Sequence, residues 1–158
     1  MPRFSACVAA VATGAVVATY TSLLGLKFAN TAGHRARLRR LIATPAGEAA
    51  QDVNVSLRVT KSDNTGDGTA SSLTPKPLDS AAIGTNATGK HTYTVEPTTV
   101  DAEAFVQAAI NGRGGIVLDW GPGEGPLWGK NETLLVRASP GAASAVKLDL
   151  TVEWDEGI

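Results

Sequence analysis

Apolar and polar residues alternate without interruption over residues 146–155, near the end of the chain. The apolar positions are Val146, Leu148, Leu150, Val152 and Trp154. The polar positions are Lys147, Asp149, Thr151, Glu153 and Asp155. Because successive side chains of a β-strand point to opposite faces of its sheet, this pattern predicts a strand with one buried face and one solvent face.

Shorter alternating stretches predict further strands at 53–60, 91–95 and 116–120, and another short strand is expected at 133–138. Segments rich in Gly, Pro, Asn and Asp separate them and are typical of turns, as in the polar loop expected from residue 62 to residue 72. Many short strands joined by turns indicate an all-β fold of the β-sandwich or jelly-roll-like type.

One segment is expected to be helical. Residues 101–110 read DAEAFVQAAI, in which Ala favours helix and Phe105, Ala108 and Ala109 recur at helical spacing. Three glycines within 111–115 would end this helix. We therefore expect at most one short helix in the fold.

The N-terminal third leaves several interpretations open. The apolar stretch 6–18 follows Arg3 and loosely resembles a secretory signal, but it is too short for a membrane-spanning helix, which needs about 18 to 20 apolar residues. It also fits a pair of strands or an extended arm that packs on the same or a neighbouring subunit, with Cys7 as a small buried residue. We expect an N-terminal arm or strands over 1–33 and a β-sandwich domain over 34–158.

A row of arginines is the sharpest charge feature of the sequence. Arg35, Arg37 and Arg39 alternate with apolar residues, and Arg40 breaks the pattern. On a strand, such a row can remain solvated or ion-paired, bind phosphate, or pair with carboxylates at a subunit interface. No aromatic residue is interleaved, so the row offers no platform for stacking nucleic-acid bases.

Composition narrows the possible functions. The chain has 14 Lys and Arg against 15 Asp and Glu, and this balance argues against general binding of nucleic acid, which needs surplus cations. A single Cys excludes an internal disulfide framework and a thiolate zinc site. The net charge is near zero although one expected strand is basic and another is acidic, since Glu153 and Asp155 are opposite in sign to the arginines. The two could pair within or between protomers.

The sequence shows no active site. A calcium loop starting at Asp63 would need an acidic ligand where Thr74 stands, so an Asx-rich turn is the better interpretation. No Ser lies in a sharp nucleophile turn, and His91 is expected to be a core or interface histidine. Glu153, Asp155 and Glu156 cluster, but no pocket partner is evident for them. We expect no enzyme activity, no cofactor and no bound metal.

The order of segments resembles a known class of protein. The chain reads RARLRRLIA, VNVSLRVTKS, a Gly/Thr-rich loop with TPKPLD, HTYTVEP, GGIVLDWGPGEG and VKLDLTVEWDE. This order of strands and turns, over residues 35–156, resembles the small virion proteins of tailed bacteriophages that decorate or cement the capsid. The resemblance implies a β-sandwich subunit, often a homotrimer, on the capsid exterior, where it would bridge major-capsid subunits.

We therefore expect a non-enzymatic virion structural protein whose partner is the major capsid protein, with no direct contact to nucleic acid or membrane. Its expected interface residues are Arg35, Arg37, Arg39, Arg40, Glu153 and Asp155. A phage tail or head-fibre component is one alternative. Another is a secreted carbohydrate-binding β-sandwich that stacks sugars on Trp120 and Trp128, which flank the GPGEGP loop. Of these two tryptophans, Trp120 is expected to pack inward and Trp128 to be freer.

Overall fold

The chain folds entirely into β-structure, with no helix among the residues described by this computed structural model. The described residues are 1–28, 33–46, 54–63, 68–78, 84–111 and 113–157. Their strands are β1 (Arg3–Ala12), β2 (Thr21–Phe28), β3 (Arg35–Pro45), β4 (Asn54–Asp63), β5 (Thr69–Leu73), β6 (Lys76–Pro77), β7 (Ala87–Val95), β8 (Val106–Asn111), β9 (Ile116–Asp119), β10 (Leu127–Gly129), β11 (Glu132–Pro140) and β12 (Lys147–Glu156).

Two antiparallel sheets pack face to face, so the predicted β-sandwich is confirmed. Sheet A has the strand order β10-β3-β12-β1-β6, and β9 pairs with β3 beside β10. Sheet B has the order β5-β7-β2-β11-β4-β8. In the centre of each sheet, a strand from the start of the chain pairs with one from its end. β1 pairs with β12 in sheet A, and β2 pairs with β11 in sheet B.

The core lies between the inner faces of the two sheets. The strand predicted at 146–155 is confirmed as β12, and its predicted apolar face is buried throughout. Trp154 is fully buried, stacks on Phe4 with ring centroids 5.9 Å apart, and meets Trp128 at 6.4 Å. These three aromatic side chains fill one end of the core.

Residues 93–105, which comprise the end of β7 and the segment that follows it, cover part of the outer face of sheet B. The Thr60 hydroxyl donates to the carbonyls of Asp101 and Glu103, at 3.1 and 3.3 Å. Leu135 points away from the sandwich core yet is fully buried, because Tyr93 covers the outer face there. A Cβ atom at Gly25 would overlap the Tyr93 hydroxyl, so the close approach of this segment depends on glycine at that position.

The segment predicted to be helical is instead a loop followed by β8, so that prediction is wrong. Val106 and Ala108 are half-buried and Ile110 is buried, whereas Gln107 and Ala109 are exposed. These residues follow the two-residue period of a strand, paired with β4. The run of alanines is compatible with the period of a helix and with that of a strand. These residues form a strand because they pair with the open edge of β4.

The remaining strand predictions agree with the structure, with some differences in extent. The stretches at 53–60, 91–95, 116–120 and 133–138 correspond to β4, β7, β9 and β11, although residue 53 lies outside the described residues. The polar loop expected over 62–72 contains the edge strand β5 in its described part. Its Ser and Thr residues suit the exposed edge of a sheet, and because they are polar the strand shows no alternation of apolar and polar residues in the sequence.

The first 28 residues form strands in both sheets, which is one of the alternatives that the sequence left open. Phe4 on β1 and Leu24 on β2 are both fully buried in the common core. Cys7, expected to be buried, is exposed because it lies on the outer face of β1. Its thiol accepts a hydrogen bond from the Thr151 hydroxyl at 3.4 Å.

Candidate functional site

The outer face of sheet A brings together most of the charged residues that the sequence singled out. We call it the charged face, and it comprises Arg3, Arg37, Arg39, Arg40, Asp119, Glu153 and Asp155. It exists because β12, with its outward carboxylates, lies between β1 and β3 in the sheet. The arginine row and the acidic row are therefore neighbours in one protomer.

Strand register arranges these charges in rows of alternating sign. In one row, Asp155 lies between Arg3 and Arg37. In the next row, Arg40 lies between Glu153 and Asp119. Opposite charges on directly paired residues stabilise a sheet, while like charges in those places would destabilise it. The alternation thus adds to the preference for this register of β3, β9 and β12, which their buried apolar faces also favour.

The ion pairs on this face are close. Arg3 Nε lies 3.3 Å from one oxygen of Asp155, and Arg39 Nε lies 3.3 Å from the other. Arg40 Nε is 3.3 Å from Asp119, and its Nη1 is 3.9 Å from Glu153. Pairing within the protomer, one of the two arrangements the sequence allowed, is therefore present. The assignment of these residues to an interface between proteins stays a prediction.

Arg39 owes its position to a β-bulge. Glu153 pairs with Arg40 and Trp154 pairs with Leu38, which leaves Arg39 as the extra residue on β3. The bulge lets Arg40 return to the outer face, and this is why the arginine alternation breaks there. Residues 120–126 fold over Arg39, whose guanidinium donates to the Gly121 carbonyl and is only 10% exposed.

Arg35 is separate from the charged face. It is exposed at the start of β3, pairs through its backbone with Gly129 of β10, and has no ion pair among the described residues. It instead lines a cleft of about 400 Å³ at this end of the sandwich. The cleft lining comprises Gly33, His34, Arg35, Lys61, Leu127, Trp128, Gly129, Lys130 and Glu132.

Sequence reasoning missed this cleft. The cations of the cleft come from the start of β3, the end of β4 and the turn between β10 and β11. Because these segments are far apart in the sequence, no local motif predicts the cleft. The only local signal is the Gly-Lys-Asn-Glu turn, where Asn131 adopts a positive φ of 61°. Glu132 Oε2 accepts the Gly129 N–H at 2.8 Å, and its carboxylate pairs with Lys61 at 3.2 Å.

The acidic cluster at the C-terminus divides between the two faces of β12. Glu153 and Asp155 lie on the charged face, whereas Glu156 is 2% exposed and points into the sandwich. The Glu156 carboxylate accepts hydrogen bonds from Trp154 Nε1 at 2.9 Å, from the Asn86 backbone N–H at 2.9 Å and from the Thr85 hydroxyl. Glu156 therefore ties the start of β7 in sheet B to the last strand of sheet A.

The structure corrects the expectation that Trp128 is the freer of the two loop tryptophans, whereas Trp120 packs against the core as expected. Trp128 is 1% exposed and belongs to the core, whereas Trp120 is partly buried at the rim of the sandwich. Trp128 pairs with Ala36 on the inner side of β3, which directs its ring toward Trp154. A sugar-stacking surface built on both rings is therefore not formed.

Other candidate chemistry is sparse in the part of the chain that the structure describes. His91 is half-buried beside Leu24, and its Nδ1 lies 2.9 Å from the Thr92 hydroxyl. No group of three or more His, Cys, Asp or Glu side chains with metal-binding geometry occurs among these residues. Residues 64–67 of the calcium loop considered at Asp63 lie outside them. The search for long apolar helices, over the same residues, finds none that could cross a membrane.

Comparison of the chain with protein families, with curated proteins and with solved structures gives no match.

Proposed function

We propose that the protein is a non-enzymatic structural component of a bacteriophage virion, which decorates the capsid and bridges major-capsid subunits. The observation that carries this proposal is the charged face of sheet A. It is a sheet face bearing rows of alternating charge, partly covered by residues 120–126, on a two-sheet scaffold. The resemblance in strand order to small virion proteins adds to it.

The two outer faces of the sandwich differ in a way that suits docking through sheet A. Residues 93–105 cover sheet B, whereas the side chains of Arg3, Arg40 and Asp119 remain 46%, 42% and 59% exposed. Exposed charges in a fixed pattern select a complementary partner surface and accelerate encounter more than they add affinity. A decoration protein that must find repeated sites on a shell needs this kind of selectivity.

A binding experiment with undecorated heads of the phage that encodes the chain tests the proposal. The protein is mixed with heads, the heads are sedimented, and the bound protein is measured as the salt concentration rises. We expect saturable binding that weakens with salt, and heads that withstand heating better when decorated. Absence of binding to heads, or no gain in head stability, would contradict the proposal, and binding to isolated tails would instead support a tail component.

A double variant tests whether the charged face does the docking. Arg40→Gln with Asp119→Asn removes one positive and one negative charge, so the net charge is unchanged, and an exposed pair of this kind contributes at most about 1 kcal/mol to stability. We expect binding to heads to weaken about tenfold. The matched control is Glu103→Gln with Arg113→Gln, two exposed residues outside the charged face, which should bind like the unaltered protein.

The oligomeric state is a separate part of the proposal. We expect a homotrimer, on the strength of the resemblance, with Arg35 and the charged face as the expected contact residues. Sedimentation equilibrium of the purified protein measures the mass directly. A mass of one protomer at all concentrations would contradict the trimer without bearing on binding to heads.

A further inference from the structure

The cleft beside β10 is rich in hydrogen-bond donors and poor in acceptors. Its one carboxylate, Glu132, is already engaged, since Oε2 accepts the Gly129 N–H and both oxygens lie within 3.3 Å of Lys61 Nζ. Lys61 is thereby held in place, with its side chain only 21% exposed. The lining therefore contains a fixed ammonium group but no side-chain carboxylate free to accept from a ligand.

The other basic side chains of the cleft have no partners of their own in the part of the chain that the structure describes. His34, Arg35 and Lys130 form no side-chain hydrogen bond or ion pair among the described residues. They line the cleft from two parts of the chain, because His34 precedes β3 and Arg35 begins it, whereas Lys130 lies in the turn before β11. Cations converging on one concave space without acidic partners favour a ligand that carries negative charge.

A buried donor provides an independent observation. Trp128 lines the cleft and is 1% exposed, yet its Nε1–H has no acceptor in the described structure. Buried polar groups are nearly always hydrogen-bonded, and leaving one unpaired is costly. The indole of Trp154, by contrast, donates to Glu156 at 2.9 Å. Trp128 is thus a residue of the cleft lining whose buried indole donor lacks an acceptor.

We propose that this cleft binds a small ligand bearing an oxyanion, either a phosphoryl or a carboxylate group. The oxyanion supplies the acceptors that Arg35, Lys130 and the Trp128 indole lack, beside the Lys61 ammonium group that Glu132 already holds. A cleft of about 400 Å³ suits a molecule of the size of a single sugar or nucleotide unit. This site is distinct from the charged face and does not depend on the proposed role in the virion.

Nuclear magnetic resonance of the ¹⁵N-labelled protein tests the proposal through its indole signals. Inorganic phosphate and acetate are titrated separately at constant ionic strength, with sodium chloride as the blank. The Trp128 indole N–H signal, identified by its loss in Trp128→Phe, is expected to move to saturation. The Trp154 indole signal should stay in place, because that group already donates to Glu156. Tighter binding of phosphate indicates a phosphorylated ligand, and tighter binding of acetate indicates a carboxylate.

Charge variants that leave the core intact locate the binding. Arg35→Gln and Lys130→Gln each remove an exposed cation of the cleft and should weaken anion binding about tenfold, as expected for loss of one charge-assisted hydrogen bond. Lys147→Gln removes an exposed lysine at the start of β12, outside the cleft, and should change the affinity less than twofold. The proposal is overturned if neither anion saturates the protein, if saturation leaves the Trp128 signal unmoved, or if Lys147→Gln weakens binding as much as Lys130→Gln.

Discussion

Replacing Glu156 by Ala should destabilise the fold more than replacing any of the outward carboxylates of β12. Glu156 is buried at one end of the sandwich and accepts hydrogen bonds from Trp154, Thr85 and Asn86. These contacts join the last strand of sheet A to the segment that leads into β7 of sheet B. The substitution therefore cuts a polar link between the two sheets.

The magnitude follows from what each donor loses. Trp154 is fully buried, so its Nε1–H would be left without an acceptor, at a cost of about 1 to 3 kcal/mol. Asn86 is exposed and Thr85 is half-buried, so water can replace part of their bonds, and losing the charge-assisted contacts adds about 1 kcal/mol. We expect a loss of about 3 kcal/mol in the free energy of unfolding, a large part of the 5 to 15 kcal/mol typical of a domain.

Urea denaturation at neutral pH, followed by tryptophan fluorescence, measures this loss. The matched control is Glu153→Ala on the same strand, whose carboxylate faces outward and lies 3.9 Å from Arg40. That control should cost less than about 1 kcal/mol. If Glu156→Ala costs no more than Glu153→Ala, the inward carboxylate does not stabilise the contact between the two sheets.

A double-mutant cycle isolates the indole contact from the rest. Trp154→Phe removes the donor, so Glu156→Ala should cost about 1 to 2 kcal/mol less in that background than in the unaltered protein. Equal costs in the two backgrounds would show that the hydrogen bond from Trp154 contributes nothing measurable.

Two further substitutions probe the backbone. Gly25→Ala places a methyl group against the Tyr93 hydroxyl, so it should lower the free energy of unfolding by about 2 kcal/mol, as measured by urea denaturation. This loss should be smaller in a Tyr93→Ser background, where the overlapping hydroxyphenyl group is absent. An equal loss in both backgrounds would refute the overlap. Ala10 has a positive φ of 52°, so Ala10→Gly should stabilise the protein by about 0.5 to 1 kcal/mol. The control is Ala12→Gly, at an exposed strand residue, which should destabilise the protein. A loss of stability with both substitutions would contradict the role of the positive φ.

Many of the strands could be predicted because apolar and polar residues alternate along them in the sequence. The clearest case is β12, where every apolar position from Leu148 to Trp154 is buried. Edge strands were harder to predict, because β5 has few apolar side chains to bury and its sequence, TASSL, does not differ from that of a polar loop. In β8, alanine is compatible with helix and strand, and only pairing with β4 decides between them.

Most of the candidate sites could not be predicted, because they join residues far apart in the chain. The signs of Arg40 and Glu153 suggested that they could pair, but only the adjacency of β3 and β12 shows that they pair within one protomer. The alternation of β12, continued by one residue, places Glu156 on the inner face and Asp155 on the outer face, but the donors that accommodate a buried carboxylate include residues 85 and 86, far away in the sequence. Trp128 was misjudged because its neighbours are turn residues, whereas the short strand β10 directs it into the core.

Electron cryo-microscopy of phage heads mixed with the purified protein tests the central claim most directly. The proposal predicts added density on the outer surface of the shell, shaped as a two-sheet sandwich, with Arg40 and Asp119 of sheet A turned toward the major capsid protein. Heads without added density, or density that contacts the shell through residues 93–105 over sheet B, would contradict it.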